Sequence, residues 1–126
     1  MKVLALDFGA ARTGVAVSDP TGTIARPLCV VERAAEGGFD DLVALIRAHE
    51  PARVVVGMPL TLRGARGEQA QRTETFVEAL RGTVDVPVET YDERFTTTLA
   101  ERAGGSDAEA AAHLLSSYLE WSSARR

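Results

Sequence analysis

The sequence predicts an α/β protein with a five-stranded mixed sheet flanked by helices on both faces. The first part of the chain contains three short β segments joined by tight turns, which is typical of an antiparallel meander. The rest alternates apolar strands with amphipathic helices, and strands separated by a helix pair in parallel through right-handed crossovers. A single mixed sheet satisfies both requirements.

The first three strands are short segments between turns that contain glycine or proline. A strand is predicted over 2–8, followed by a turn over 9–14, because two glycines there bracket small and polar residues. A second strand is predicted over 15–18. After the turn at 19–22, which contains Pro20 and Gly22, a third strand is predicted over 24–32.

Beyond residue 32 the apolar residues recur with the period of a helix. A helix is predicted from near Gly38 to Pro51, and the continuously apolar strand over 53–59 is typical of a strand covered on both faces. A second helix is predicted over 68–81, a fifth strand over 84–91, a short helix over 96–102 and a last helix from 106 to about 122. This order of elements is the ribonuclease H-like arrangement.

Size and composition indicate one globular domain that spans residues 1–126. A hydrophobic content of 45% and a charged content of 25% are ordinary for such a domain. No apolar run approaches the roughly 20 residues of a membrane span, so we expect a cytoplasmic protein that does not contact membranes. Cys29 is the single cysteine and is expected to be a buried strand thiol.

The net charge and the arginine content bear on how this protein could bind nucleic acid. A net charge of −4 argues against nonspecific coating of nucleic acid, which needs a broad basic face, but it is compatible with a nuclease whose acidic centre holds metal. Thirteen of the fourteen cations are arginine. Arginine suits phosphate recognition, although a genome rich in G and C gives the same bias.

Three carboxylates stand where a metal-dependent phosphodiesterase needs them. Asp7 ends the apolar run of the first predicted strand, Glu93 follows the fifth predicted strand, and Asp107 lies at the start of the last predicted helix. Clustered carboxylates repel one another, and a hard divalent cation removes that cost. We therefore predict that Asp7, Glu93 and Asp107 form a metal site that is also catalytic.

Asp107 has an alternative interpretation that needs no metal. Ser106 and Glu109 match a capping box, in which an acid at Asp107 is stabilised by the helix dipole. However, Asp107 shares a helical face with the apolar residues Ala111 and Leu114, so its carboxylate is expected to point toward the sheet, where an unpaired charge is costly.

Four segments resemble the YqgF family of bacterial Holliday-junction-resolvase-like proteins, which are described as candidate nucleases for the 5′ end of pre-16S rRNA. The segments agree in order and spacing, cover nearly the whole chain, and include DERFTT as the most specific part. They are 6–19 (LDFG…RTGVAVSD), 54–60 (VVVGMPL) with Gly64 and Gly67, 92–97 (DERFTT), and 107–119 (DAEAAAHLLSSYL).

The resemblance implies that the three carboxylates bind one or two Mg²⁺ or Mn²⁺ ions and hydrolyse a phosphodiester in RNA or branched DNA. Expected partners are precursor rRNA and the ribosome, and the chain acts as a monomer or a homodimer. Further side chains are candidates for nucleic-acid contact. They are Arg12, Arg63, Arg66, Arg94, Thr96 and Thr97.

One segment departs from the family pattern. Between the residues that match Arg102 and Asp107, family members usually carry a longer stretch that is often rich in lysine and arginine. In the family pattern, that basic stretch is a candidate nucleic-acid contact surface. In this chain only residues 103–106 lie between those two positions. That observation favours, as a rival hypothesis, a ribosome-associated binding factor without catalysis.

Two further alternatives remain open from the sequence. A resolvase of four-way DNA junctions fits the same residues but needs two active sites in a dimer. A phosphotransferase of the sugar-kinase and actin type shares an Asp-Phe-Gly-like strand end, although such proteins need two domains of this kind.

Overall fold

The computed structural model describes residues 1–9, 11–59, 67–92 and 107–124. Eight elements lie in these ranges. They are β1 (Val3–Asp7), β2 (Arg12–Ser18), β3 (Ala25–Glu32), α1 (Phe39–His49), β4 (Arg53–Met58), α2 (Glu68–Arg81), β5 (Val88–Asp92) and α3 (Asp107–Ala124). The short helix predicted over 96–102 falls outside the described residues. No helix within the described residues has the length and apolarity needed to cross a membrane.

The five strands form one mixed sheet in the order β3-β2-β1-β4-β5. β1 pairs antiparallel with β2, and β2 pairs antiparallel with β3. β1 and β5 both pair in parallel with the central β4. The predicted meander followed by parallel crossovers is confirmed.

Two strands begin several residues away from the predicted start, whereas the other strand boundaries differ by at most one residue. β2 begins at Arg12, inside the segment predicted to be a turn, because Arg12 and Gly14 already pair with Glu32 and Val30 of β3. β5 begins at Val88 rather than at residue 84, because the preceding residues complete the end of α2. The N–H groups of both Thr83 and Val84 bond to the carbonyl of Leu80.

Apolar residues on the two faces of the sheet form separate clusters, because neighbouring residues of a strand point to opposite faces. Leu4 and Leu6 of β1 face α1 and α2, whereas Val3 and Ala5 face α3. The sheet is therefore covered by helices on both sides, as predicted. Cys29 lies in the edge strand β3 and is half-buried rather than buried.

A polar network fixes α3 to the parallel half of the sheet. The Arg53 guanidinium donates to Glu89 Oε2 at 3.0 Å and to the Tyr118 hydroxyl at 2.8 Å, and that hydroxyl donates to Glu89 Oε2 at 3.0 Å. Burial raises the pKa of Tyr118, so the hydroxyl stays protonated and able to donate. The rings of Tyr91 and Trp121 lie 5.6 and 5.9 Å from that of Tyr118.

Tyr118→Phe is expected to lower the free energy of unfolding by about 1–2 kcal/mol, because it removes a hydroxyl bonded to two charged groups. Tyr91→Phe is the matched control, since the Tyr91 hydroxyl bonds the neutral hydroxyl of Ser117 at 2.9 Å. Urea unfolding of both variants measures the difference. Equal losses in the two variants would contradict a special contribution from the charged network.

Candidate functional site

The carboxyl ends of three strands meet at one edge of the sheet, because β1, β4 and β5 run in the same direction. β1 ends at Asp7, β4 at Met58 and β5 at Asp92, and the register pairs Met58 with Asp92. Chemistry in open α/β sheets commonly lies outside the carboxyl ends of the strands. A functional site is therefore expected at this edge of the sheet.

Asp7 lies at this edge on the face covered by α3. Val3 and Ala5, at alternate positions of the same strand, both pack against Ala111, Leu114 and other apolar residues of α3, which we call the α3 cluster. The side chain of Asp7, two residues after Ala5, is therefore directed to that face. The residue is half-buried. The residue opposite Asp7 in the antiparallel pair with β2, Gly14, carries no side chain.

Gly14 connects Asp7 to Asp107. Gly14 lies directly opposite Asp7 in the antiparallel pair, where Cα atoms are roughly 4.5–5.5 Å apart. On its α3 face, a Cβ at Gly14 would stand only 1.8 Å from the carbonyl oxygen of Asp107. The backbone of Asp107, the first residue of α3, therefore rests on the strand position directly opposite Asp7.

Arg12 also belongs to this group. Its Nε atom lies 3.0 Å from Asp107 Oδ2, and both side chains are substantially exposed, at 64% and 42%. Arg12 is two residues before Gly14 in β2, so its side chain is directed to the same face of the sheet. The structure thus places the predicted phosphate ligand Arg12 in contact with the predicted metal ligand Asp107.

The other predicted site residues lie outside the described residues. Glu93 follows directly after the last described residue of β5, Asp92. The remaining residues are predicted nucleic-acid contacts, and their interpretation stays a prediction. They are Arg63, Arg66, Arg94, Thr96 and Thr97.

The donor set that is described fits a hard divalent cation. Among residues 1–9, 11–59, 67–92 and 107–124, no group of three metal-ligating side chains is assembled. Asp7 and Asp107 supply carboxylate oxygens from two elements that are held together through Gly14, and carboxylates are the ligands that Mg²⁺ and Mn²⁺ prefer.

Two features of the site were not predicted from the sequence. Gly14 was assigned to a turn, yet it lies within β2 and provides the flat surface on which α3 begins. A glycine inside a strand pattern signals close approach of another backbone, and that signal was present between Thr13 and Val15. The ion pair between Arg12 and Asp107 had no signal in the sequence, because it depends on where α3 docks.

Asp19 is a carboxylate that the structure assigns to a turn, as the sequence suggested. Its Oδ1 accepts hydrogen bonds from the backbone N–H groups of Thr23 and Ile24 at 2.8 and 2.9 Å. These bonds and that from Thr21 hold the pKa of Asp19 well below its ordinary value. Asp19 follows the end of β2 that is remote from Asp7, so a substitution at Asp19 is a suitable control for one at Asp7.

Comparison with known proteins identifies relatives over most of the chain. The RuvX family, described as Holliday junction resolvase, matches residues 1–121. A Sulfurihydrogenibium protein named "Putative pre-16S rRNA nuclease" is 44% identical over 103 residues, which cover 80% of this chain and 70% of that protein. An Anaeromyxobacter protein of the same name is 38% identical over 133 residues, with 95% of this chain and 97% of that protein covered.

Solved structures show the same fold at low sequence identity. RuvC from T. thermophilus, solved in complex with a Holliday junction substrate, superposes with a TM-score of 0.68 and covers 99% of this chain and 96% of its own. A second Thermus thermophilus RuvC structure gives a TM-score of 0.65. The two structures are 16% and 17% identical to this chain in sequence, and their superposition supports the ribonuclease H-like fold.

Proposed function

Because the chain belongs to the RuvX family of Holliday junction resolvase-like proteins, we propose that it is a divalent-metal-dependent nuclease that processes the 5′ end of pre-16S rRNA. The observation that carries the proposal is the contact between Gly14 and Asp107, since it brings Asp107 beside Asp7 at the carboxyl edge of the sheet. The names of the curated relatives supply the choice of precursor rRNA as substrate.

Asp7, Asp107 and Glu93 are proposed to hold the cation. Asp7 and Asp107 reach the site from β1 and α3. Glu89 and Tyr91 of β5 contact α3, so position 93 is the next in this alternation and would carry Glu93 to the same face if the strand geometry continued. When bound, Mg²⁺ or Mn²⁺ would lower the pKa of a water and stabilise the departing 3′ oxygen of an in-line displacement.

Six arginine and threonine side chains are proposed to bind the phosphates. Arg12 stands beside Asp107, where its guanidinium can form paired hydrogen bonds to a phosphate. Arg94, Thr96 and Thr97 follow Glu93 directly in the chain, and Arg63 and Arg66 follow β4, which ends at the same edge. Binding substrate only at this edge requires no broad basic face, which agrees with the net charge of −4.

The test is a cleavage assay with end-labelled substrates. The full chain is incubated with a 16S precursor carrying its 5′ extension, an unrelated single-stranded RNA and a four-way DNA junction, each with Mg²⁺, Mn²⁺ or EDTA. We expect metal-dependent cleavage of the precursor that leaves a 5′ phosphate. Binding of precursor RNA with only trace, metal-independent cleavage would contradict the nuclease and favour a ribosome-associated binding factor.

Resolution of branched DNA is the second candidate, favoured by the description of the RuvX family. It requires two copies of the site acting on opposite strands of a junction. Paired, symmetrical cuts in the four-way junction, made by a dimeric species in sedimentation, would support it. Cleavage of the precursor RNA alone by a monomer would exclude it.

A further inference from the structure

Arg12 is a positively charged side chain that already contacts a carboxylate of the candidate metal site. Its Nε atom lies 3.0 Å from Asp107 Oδ2, one of the oxygens proposed above to bind metal. A divalent ion that binds through this oxygen meets a positive charge already in contact with it. Metal and Arg12 are therefore competitors for Asp107.

The ion pair is weak enough to be displaced. The side chains of Arg12 and Asp107 are 64% and 42% exposed, and ion pairs in such solvent-accessible positions contribute little because water and salt screen them. A doubly charged cation shared by several carboxylates gains more from Asp107 than one guanidinium does. Binding of metal is thus expected to release Arg12.

Asp107 does not need Arg12 to stay in place. The backbone of Asp107 rests on Gly14, and α3 is fixed further along by the bonds of Tyr118 to Arg53 and Glu89. Removing Arg12 therefore leaves the backbone of Asp107 in place but takes away the competitor for its carboxylate. A residue that merely positioned Asp107 would have the opposite effect on metal affinity.

We propose that Arg12 is a displaceable counter-cation, which neutralises Asp107 in the metal-free protein and is released by metal to bind a substrate phosphate. Released Arg12 stays at the start of β2, at the edge where the nucleic acid is proposed to bind. Metal binding and phosphate binding are then coupled through one side chain, so each strengthens the other. This inference rests on the proposed metal site.

The first test measures metal affinity without nucleic acid. Mn²⁺ is titrated calorimetrically into the full chain in 0.15 M KCl, with Arg12→Gln, Arg12→Lys and Arg26→Gln beside the wild type. Arg12→Gln is expected to bind Mn²⁺ about fivefold more tightly, since it loses the competing charge, whereas Arg12→Lys stays near the wild type. Arg26→Gln removes the same charge from an exposed position in β3 that pairs with Val17, far from Asp7.

The outcomes separate this inference from the proposed function. Unchanged or weaker Mn²⁺ binding by Arg12→Gln, with a wild type that binds, overturns the role of Arg12 alone. An equal gain in Arg26→Gln also overturns it, because the effect is then one of net charge. No saturable Mn²⁺ binding by the wild type overturns the metal site and this inference together.

A second measurement follows Arg12 itself. The Nε–H proton of Arg12, assigned by comparison with Arg12→Lys, is observed by NMR while Mg²⁺ is added. Release from Asp107 is expected to accelerate exchange of this proton with water as the site fills. An exchange rate that does not change at saturating Mg²⁺ would show that the ion pair persists, and would overturn the displacement.

Discussion

Asp7→Asn is expected to reduce metal-dependent cleavage by at least about a thousandfold. Metal catalysis supplies several kcal/mol of transition-state stabilisation, and each 1.36 kcal/mol corresponds to a factor of ten in rate. The change removes one charge and one strong oxygen ligand from the centre of the proposed site while keeping the shape of the side chain. Mn²⁺ affinity is expected to fall in parallel, which calorimetry measures in the absence of RNA.

Asp19→Asn is the matched control for this prediction. It makes the same chemical change in the carboxylate of the turn after β2, which accepts hydrogen bonds from the backbone N–H groups of Thr23 and Ile24. Cleavage and Mn²⁺ affinity are expected to stay near those of the wild type. If Asp7→Asn cleaved the precursor as fast as Asp19→Asn, Asp7 could not be a metal ligand of the active site.

The regular elements follow from local patterns, which explains how much of the fold could be predicted. The apolar positions of α2 recur with helical period, and its predicted bounds of 68 and 81 agree with the structure. The directions of strand pairing could also be predicted, because strands joined by tight turns pair antiparallel and strands joined through a helix pair in parallel. Long-range packing was not needed for either conclusion.

The start of β2 was predicted wrongly for a physical reason. Small and polar residues between two glycines are typical of a turn, and only strand pairing makes this segment extended. Gly14 pairs with both β1 and β3, and Arg12 pairs with β3. That pairing is a tertiary effect, which overrides local preference. The same docking decides that Arg12 contacts Asp107, so spacing along the chain gave no indication of it.

The backbone of Asp107 lies against Gly14, which is opposite Asp7, whereas the role of all three carboxylates as metal ligands stays a prediction. Asp7 could be predicted from its position at the end of an apolar strand, and Asp107 from the face it shares with Ala111 and Leu114. Glu93 follows the last described residue of β5. Its assignment depends on the DERFTT segment that resembles the family, and its test is Glu93→Gln beside Asp7→Asn.

Gly14→Ala is expected to lower the free energy of unfolding by about 3 kcal/mol and to weaken Mn²⁺ binding by about tenfold. The new methyl group would stand 1.8 Å from the carbonyl oxygen of Asp107 and 2.4 Å from its carbonyl carbon. Both are backbone atoms, so no side-chain rotation relieves the clash. α3 must move away from β2, which separates Asp107 from Asp7 and opens the α3 cluster.

Gly37→Ala distinguishes this clash from the general effect of replacing glycine. A Cβ at Gly37 meets no atom within 4 Å, and Gly37 is exposed. Alanine there is expected to change the free energy of unfolding by less than about 1 kcal/mol and to leave Mn²⁺ binding unaltered. Urea unfolding and calorimetry of the two variants would show whether stability and metal affinity fall together at Gly14. Loss of stability in Gly14→Ala with unchanged Mn²⁺ affinity would mean that the start of α3 does not carry a metal ligand, because the same displacement moves both.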